Sequence, residues 1–323
     1  MTEWRYALPL IAGLVTFVLL RWMLSGRNAQ WALDHPNHRS LHQAPVPRTG
    51  GIGVMAGVMV AWIALGIPVL LGGAMLLAMM SLADDIRGLS VRWRFLGHFC
   101  VASIMVWWIP LAVPVFVAVL LVIALVWMIN LYNFMDGSDG LAGGMALFGF
   151  GAYAVVAWLA GDVQLALASA AIAGSACAFL IYNFHPARIF MGDAGSVPLG
   201  FLAGAMGLMG WQRGLWSWWF PVMVFSPFIV DATVTLLKRL LRGEKIWQAH
   251  RSHYYQRLVQ LGWGHRNTAL AEYFLMLNAA IWAIVALKSP PDGQWGTGLG
   301  CLMVYGILAV WIDRRWAEMQ KTT

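Results

Sequence analysis

The chain has 323 residues, 60% of them hydrophobic, with 21 Lys and Arg against 14 Asp and Glu. A soluble chain of this length, at the usual quarter charged, would carry roughly 80 charges, so too few are present to cover a soluble surface. Together with 34 Gly, 19 Trp and 18 Met, this balance also excludes disorder, a collagen-like repeat and a small disulfide scaffold. It implies an all-α polytopic membrane protein, organised as a single integral-membrane domain over residues 1–323.

A bilayer-spanning helix needs about 20 mostly apolar residues, and somewhat fewer when flanking side chains snorkel. Eleven segments qualify, at 6–24, 51–66, 67–83, 96–110, 111–129, 141–160, 163–182, 197–212, 216–237, 267–287 and 296–312. The first lacks a small-residue cleavage site and reads as an uncut span instead of a signal peptide. The division between the second and third is the least sharply marked. Cys100, Cys177 and Cys301 each lie inside an apolar stretch without metal-like spacing, which reads as lipid-buried thiols, neither bridges nor ligands.

The net charge of +7 would raise nucleic acid in a soluble protein; in a membrane protein it reports topology. With the spans alternating, eighteen of the 21 Lys and Arg fall in one set of loops, and only Arg5, Arg213 and Lys288 in the other. The positive-inside rule then places the amino terminus outside and the carboxyl terminus in the cytoplasm. The outer loops, such as Gly161-Asp162, carry almost no chemistry. The inner ones hold most of the Asp, Asn and His, so an active site would face the cytoplasm.

Four strings in those inner loops suit phosphate chemistry. In SLADDIRGLS, Asp84 and Asp85 are adjacent carboxylates that repel unless a cation, a proton or an arginine offsets them; the plainer alternative is a solvated helix end stabilised by Arg87. In NLYNFMDGSDGLAGG (130–144), Asn133, Asp136 and Asp139 share a face if the segment is helical, whereas Gly137 and Gly140 argue for turns with backbone amides close to a ligand. In NFHPARIFMGDAGS (183–196), amides entering the eighth span suit an anion and Asp193 a bridging cation, while simple capping by Asp193 or Ser196 is the alternative.

The fourth string, AHRSHYYQRL (249–258), reads as a short amphipathic helix. His250, His253 and Arg257 would share a polar face able to grip a diphosphate, opposite an apolar stripe of Tyr254, Leu258 and Leu261. The same basic residues would also suit anionic lipid, and zinc lacks a third ligand nearby. Asp231, inside the ninth span, is a functional candidate by position, or it orients a neighbouring arginine.

In this order and on one side of the membrane, these strings resemble the polyprenyl-phosphate N-acetylhexosamine-1-phosphate transferase family. The likeness runs from DHPNHRSLHQAPVPRTGGIG (34–53) to AHRSHYYQRL. It is nearer the branch that initiates O-antigen and enterobacterial common antigen synthesis than the branch transferring phospho-MurNAc-pentapeptide, whose final loop is richer in consecutive histidines.

The resemblance implies an enzyme of the inner membrane that transfers N-acetylhexosamine-1-phosphate from its UDP-sugar to undecaprenyl phosphate and releases UMP. It further implies magnesium, or manganese in its place, and a homodimer. Carried over position by position, it makes Asp193 and Asn133 metal ligands. Asp139 and Asn183 become groups near the uracil or ribose, and Phe190 a stacking partner for the base. Asp84 and Asp85 match the family's paired aspartates, one of them proposed as a base. Because a phosphate monoester is already largely dianionic at neutral pH, the pair is equally suited to positioning the nucleophile. Asp136 joins this catalytic group, with His250, and Arg251 and His253 fall where the pyrophosphate or sugar binds. Arg39 and Arg48 border the same cleft.

A transporter is the competing class, since carriers are also polytopic with intramembrane charge. The absence of an internal repeat and the gathering of ionisable groups in loops weigh against it. A CDP-alcohol phosphotransferase would need DGxxAR and GxxxDxxxD on one continuous segment, whereas here Asp136 is followed by GSDGLAGG.

Overall fold

The computed structural model describes residues 3–25, 32–34, 36, 41, 44–245, 248 and 250–322. Arg39, with His35, His38 and His42, lies outside them. The described residues form α1 (Leu8–Met23), α2 (Gly50–Leu65), α3 (Pro68–Arg87), α4 (Val91–Trp108), α5 (Val115–Phe134), α6 (Leu141–Leu159) and α7 (Val163–Asn183). These are followed by α8 (Asp193–Gln212), α9 (Trp219–Val224), α10 (Ser226–Leu241), α11 (Tyr254–Leu258), α12 (Gly264–Leu287) and α13 (Pro291–Thr322). The one sheet among them pairs β1 (Leu33–Asp34) antiparallel with β2 (Val46–Pro47).

Every expected span coincides with a helix or a broken helix. Among the described residues, eight helices are long and apolar enough to cross a membrane. The remainder of the eleven differ for physical reasons. Helix α2 has only 16 residues, α4 starts with Arg92 and Arg94 in its first turn, and the ninth span breaks at Phe225 where Ser226-Pro227 begins α10, because proline removes a helical N–H donor. The uncertain division between the second and third spans falls at Gly66, a left-handed C-cap at φ 69°, followed by Pro68 at the start of α3.

Several helices overrun the expected spans at their polar ends. Helix α4 begins five residues early and α5 runs on to Phe134, so Arg94 sits one turn from His98, and Asn130 and Asn133 are helical instead of in a loop. Helix α13 continues to Thr322, carrying Asp313 beyond the apolar stretch.

Helix α8 is the central post. In it, 83% of the spanning window is buried, against 11% in α13, and it touches α2, α3, α4, α5, α6 and α9. Without a hydrophobic driving force between helices in lipid, small residues supply the close packing. Gly51 shows how this reaches the loops: a Cβ there would stand 2.3 Å from the Gly195 backbone nitrogen. The start of α2 is thereby pressed against the start of α8, and Gly50 and Gly51 N–H donate to the Phe190 and Met191 carbonyls at 2.9 and 2.8 Å. The free cysteines are dispersed, Cys100 and Cys177 exposed on helix surfaces and Cys301 buried.

Candidate active site

One cavity of about 1050 Å³ opens where the polar helix ends meet. It collects Asp84, Asp85, Asn133, Asp136, Asp139, Asn183, Phe190, Asp193, Arg48, His250 and His253 from five separate chain segments. Arg251 is exposed and is not among the lining residues, so the structure does not bring it to the site.

The acidic pair is held by arginines other than the expected Arg87, which is exposed. Asp85 pairs with Arg48 at 3.1 Å and Asp84 with Arg94 at 3.0 Å. Asp84 also accepts the Leu89 N–H at 2.7 Å, so both its oxygens are engaged. Arg94 lies 3.9 Å from Asp193 as well, linking the end of α3 to the start of α8. Asp193 stands in the first turn of α8 behind Gly192, whose φ of 69° suits glycine, and that helix has no side-chain cap bond. Capping therefore does not account for Asp193. Its carboxylate sits where the helix dipole favours a negative charge.

Asp136 faces the same point from the turn between α5 and α6. Burial first, and the neighbouring Asp193 second, push its carboxyl well above the ordinary carboxylate range, opposed by a hydrogen bond from Gly192. Asn133 donates its amide to Ser196 Oγ at 3.1 Å, which ties the end of α5 to α8. Among the described residues, no three His, Cys, Asp or Glu side chains close on a metal position. Asp136 and Asp193 lie close enough to interact, and the Asn133 amide lines the same cavity as a further oxygen donor. Magnesium, which takes one or two carboxylates and completes its shell from phosphate and water, fits such a set.

A second group is built around buried Asp139. Its Oδ2 accepts from His185 Nδ1 at 2.7 Å and from the Ala187 N–H at 3.1 Å. Asn183 accepts the Gly140 N–H and donates to the Ile189 carbonyl, both at 2.9 Å, binding the loop before α6 to the loop before α8. Gly140 has φ 76°, so this polar string is the turn that its glycines suggested. His265, at the start of α12, stacks on His185 at 5.6 Å and bonds Ser138 Oγ at 2.9 Å.

The histidine wall corrects the amphipathic-helix reading of 249–258. The helix starts only at Tyr254, with His253 as its N-cap residue. Asp231 causes this: its Oδ1 accepts the Tyr254 N–H at 2.9 Å and its Oδ2 the Tyr255 N–H at 3.0 Å, while His253 Nδ1 lies 3.2 Å from Oδ1. Arg257, expected on the cavity face, is buried and turned toward α13, 2.7 Å from Asp313. The apolar stripe did form, with Tyr254, Leu258 and Leu261 packed on Ile312.

Ser252 N–H and Oγ approach His250 Nδ1 at 3.4 and 2.9 Å, which leaves the proton of a neutral ring on Nε2. Burial first, then His253 and Arg239, lower the His250 pKa from 6.5 to about 3, so the ring donates as a neutral imidazole. The unfolded chain takes up a proton at about pH 6.5 that the native state refuses, so stability falls as pH drops from there toward 3. Melting curves in detergent at about pH 7 and about pH 5 should show this slope flattened in His250→Gln. An equal slope in both proteins would remove His250 as its source.

Sequence reasoning passed over Arg94, His98 and His265 as cavity residues. His98 and Arg94 lay inside or beside an assigned span, and His265 just before one. Only their i, i+4 spacing on α4 offered a signal for the first two.

Comparisons with known proteins show what the chain is similar to. Residues 67–211 match the model of glycosyl transferase family 4. A probable undecaprenyl-phosphate N-acetylglucosaminyl 1-phosphate transferase of Bacillus subtilis (strain 168) is 33% identical over 279 residues, 80% of this chain and 78% of the relative. A decaprenyl-phosphate N-acetylglucosaminephosphotransferase of Mycolicibacterium smegmatis is 30% identical over 353 residues, 94% of this chain and 87% of the relative. A phospho-N-acetylmuramoyl-pentapeptide-transferase of Halalkalibacterium halodurans is 31% identical over 168 residues, about half of each chain. From the matched length and the identity, the chain belongs to the polyprenyl-phosphate N-acetylhexosamine-1-phosphate transferase family.

Proposed function

We propose that the chain transfers N-acetylhexosamine-1-phosphate from a UDP-sugar to undecaprenyl phosphate at the cytoplasmic face of the inner membrane, releasing UMP and starting a lipid-linked surface polysaccharide such as O-antigen. The observation that carries this reading is one continuous cavity with two kinds of lining. Carboxylates and arginines crowd one part, and Met80, Phe95, Phe99, Ile123, Val126, Trp127 and Leu236 line the rest. A polyprenyl phosphate has the same division, a dianionic head on an apolar chain. The names of the relatives favour GlcNAc as the sugar, with FucNAc and QuiNAc as the 6-deoxy alternatives. The transporter reading has no support among the relatives.

One phosphoanhydride replaces another, so positioning and charge neutralisation must supply the rate. The lipid phosphate oxygen forms a bond to the sugar-linked phosphorus as the bond to UMP breaks. Arg48, paired with Asp85, and Arg94, paired with Asp84, neutralise the converging phosphates. Asp84, with both oxygens occupied, anchors Arg94 and the turn after α3. Asp85 is the member better placed to orient the attacking phosphate. His250, as a neutral ring, and His253 donate to diphosphate or sugar oxygens from the far wall. Asp139 and Asn183 shape the pocket for the uridine, against which Phe190 stacks. Asp193, Asp136 and Asn133 would hold magnesium, which offsets charge on the nucleotide diphosphate.

A panel of UDP-sugars with undecaprenyl phosphate in purified, detergent-solubilised protein tests the reading, scored by UMP release and lipid-linked product. Product with one UDP-N-acetylhexosamine supports it. Vesicle uptake without lipid product would overturn it in favour of a carrier. His250→Ala should lower turnover by about 10²-fold, the scale of losing a positioned donor. Unchanged kinetics would return His250 to a lipid-surface role.

A further inference from the structure

Asp313 lies 55 residues past the last string of the site, on a helix that mostly faces lipid, yet it gathers three side chains from two other elements. Arg257 Nη1 meets its Oδ1 at 2.7 Å, Lys238 Nζ pairs with its Oδ2, and Tyr254 OH approaches the same oxygen at 3.3 Å. Arg257 is fixed further by the rings on either side, its guanidinium 5.4 Å from Tyr254 and 5.6 Å from Trp316. A further contact points inward: Nε donates to the Ser252 carbonyl at 2.9 Å. Ser252 in turn holds His250 Nδ1 through Oγ at 2.9 Å. The chain of contacts Asp313, Arg257, Ser252, His250 ends on a ring that lines the cavity.

We infer that Asp313 is a positioning residue for the transfer reaction, acting through Arg257 and Ser252 to set the orientation of His250. The inference rests on the proposed transferase reading for its kinetic arm alone. A guanidinium is needed at position 257 because its rigid fork bonds Asp313 and the Ser252 carbonyl at once, which the single ammonium of lysine does not reproduce. Asp231 secures His253 through a separate set of bonds, and the two histidine rings meet with centroids 4.8 Å apart.

The test compares wild type, Asp313→Asn, Arg257→Lys and His250→Ala in the full chain. Turnover with UDP-GlcNAc and undecaprenyl phosphate should fall roughly tenfold or more in Asp313→Asn and Arg257→Lys with little change in KM, because a shift of about 1 Å at a catalytic group costs up to about 10²-fold. Asp313→Glu should recover part of the loss. Added to His250→Ala, Asp313→Asn should cost nothing more, since residues acting in series are not additive. A full, additive loss in that background would overturn the inference and leave Asp313 a structural residue. The second arm needs no transferase activity. Diethyl pyrocarbonate modification of His250, followed by peptide mass mapping, should quicken severalfold in Asp313→Asn and Arg257→Lys while the rate at His185 stays constant. Unchanged modification of His250 would also overturn it. An inactive wild type with accelerated modification in the variants would refute the transferase reading and keep the coupling of Asp313 to the orientation of His250. If Asp313→Asn does not fold, Arg257→Lys, which preserves both charges, decides both arms.

Discussion

Asp193→Asn should abolish sugar-phosphate transfer in the presence of magnesium while leaving a folded, extractable protein. The substitution keeps shape and removes one charge from the first turn of α8, where a carboxylate is worth only about 0.3–1 kcal/mol to the helix. Asp136 stands close enough for Asp193 to raise its pKa, so losing the charge also relieves repulsion, and the two effects on stability oppose each other. Function has no such offset. The oxygen donors proposed for magnesium would lose one member, and losses of about 10²–10³-fold follow from removing a single charge-stabilising group at a reacting phosphorus or carbonyl. UMP release, measured beside the melting temperature, separates the outcomes. Wild-type turnover in the variant would take Asp193 out of the metal site.

Asp231→Ala should be damaging in a different way. The buried carboxylate accepts two backbone N–H groups and the Thr235 hydroxyl, with His253 against it. Alanine strands the two amides of Tyr254 and Tyr255, each at a cost of about 1–3 kcal/mol, so the start of α11 loosens by roughly 2–6 kcal/mol. With α11 goes the His253 ring, and turnover should fall by about 10²-fold or more. Limited proteolysis should cut the 242–253 segment faster than in wild type. Wild-type turnover together with an unchanged cleavage rate would show that Asp231 does not organise this wall. Asp231→Asn, which keeps one acceptor oxygen, should be milder on both readouts.

The two cases differ in how visible they were. Asp193 stands out in the sequence because it follows Gly192 and precedes a small-residue helix start, a pattern whose chemistry is local. Asp231 was visible only as a carboxylate in an apolar stretch. Its true partners, the amides of Tyr254 and Tyr255, lie 23 and 24 residues away, and backbone amides carry no residue-type signature. The error at 249–258 has the same origin. Helical periodicity placed Arg257 with the histidines, but the periodicity of the string does not say that Asp231 would start the helix at Tyr254 and leave His250 in the turn before it.

By itself, the sequence determined the membrane class, the helical segments and the family. Each of these rests on composition, on apolar run length or on strings contiguous in the chain. Only the tertiary structure decided which charges meet. Asp84 found Arg94 and Asp85 found Arg48 instead of Arg87, and Arg257 turned away from the cavity to Asp313. Ion-pair choice depends on where helix ends arrive in three dimensions. That is set by how far α4, α5 and α13 run past the apolar stretch and by the close contact of Gly51 with Gly195, neither of which has a local code.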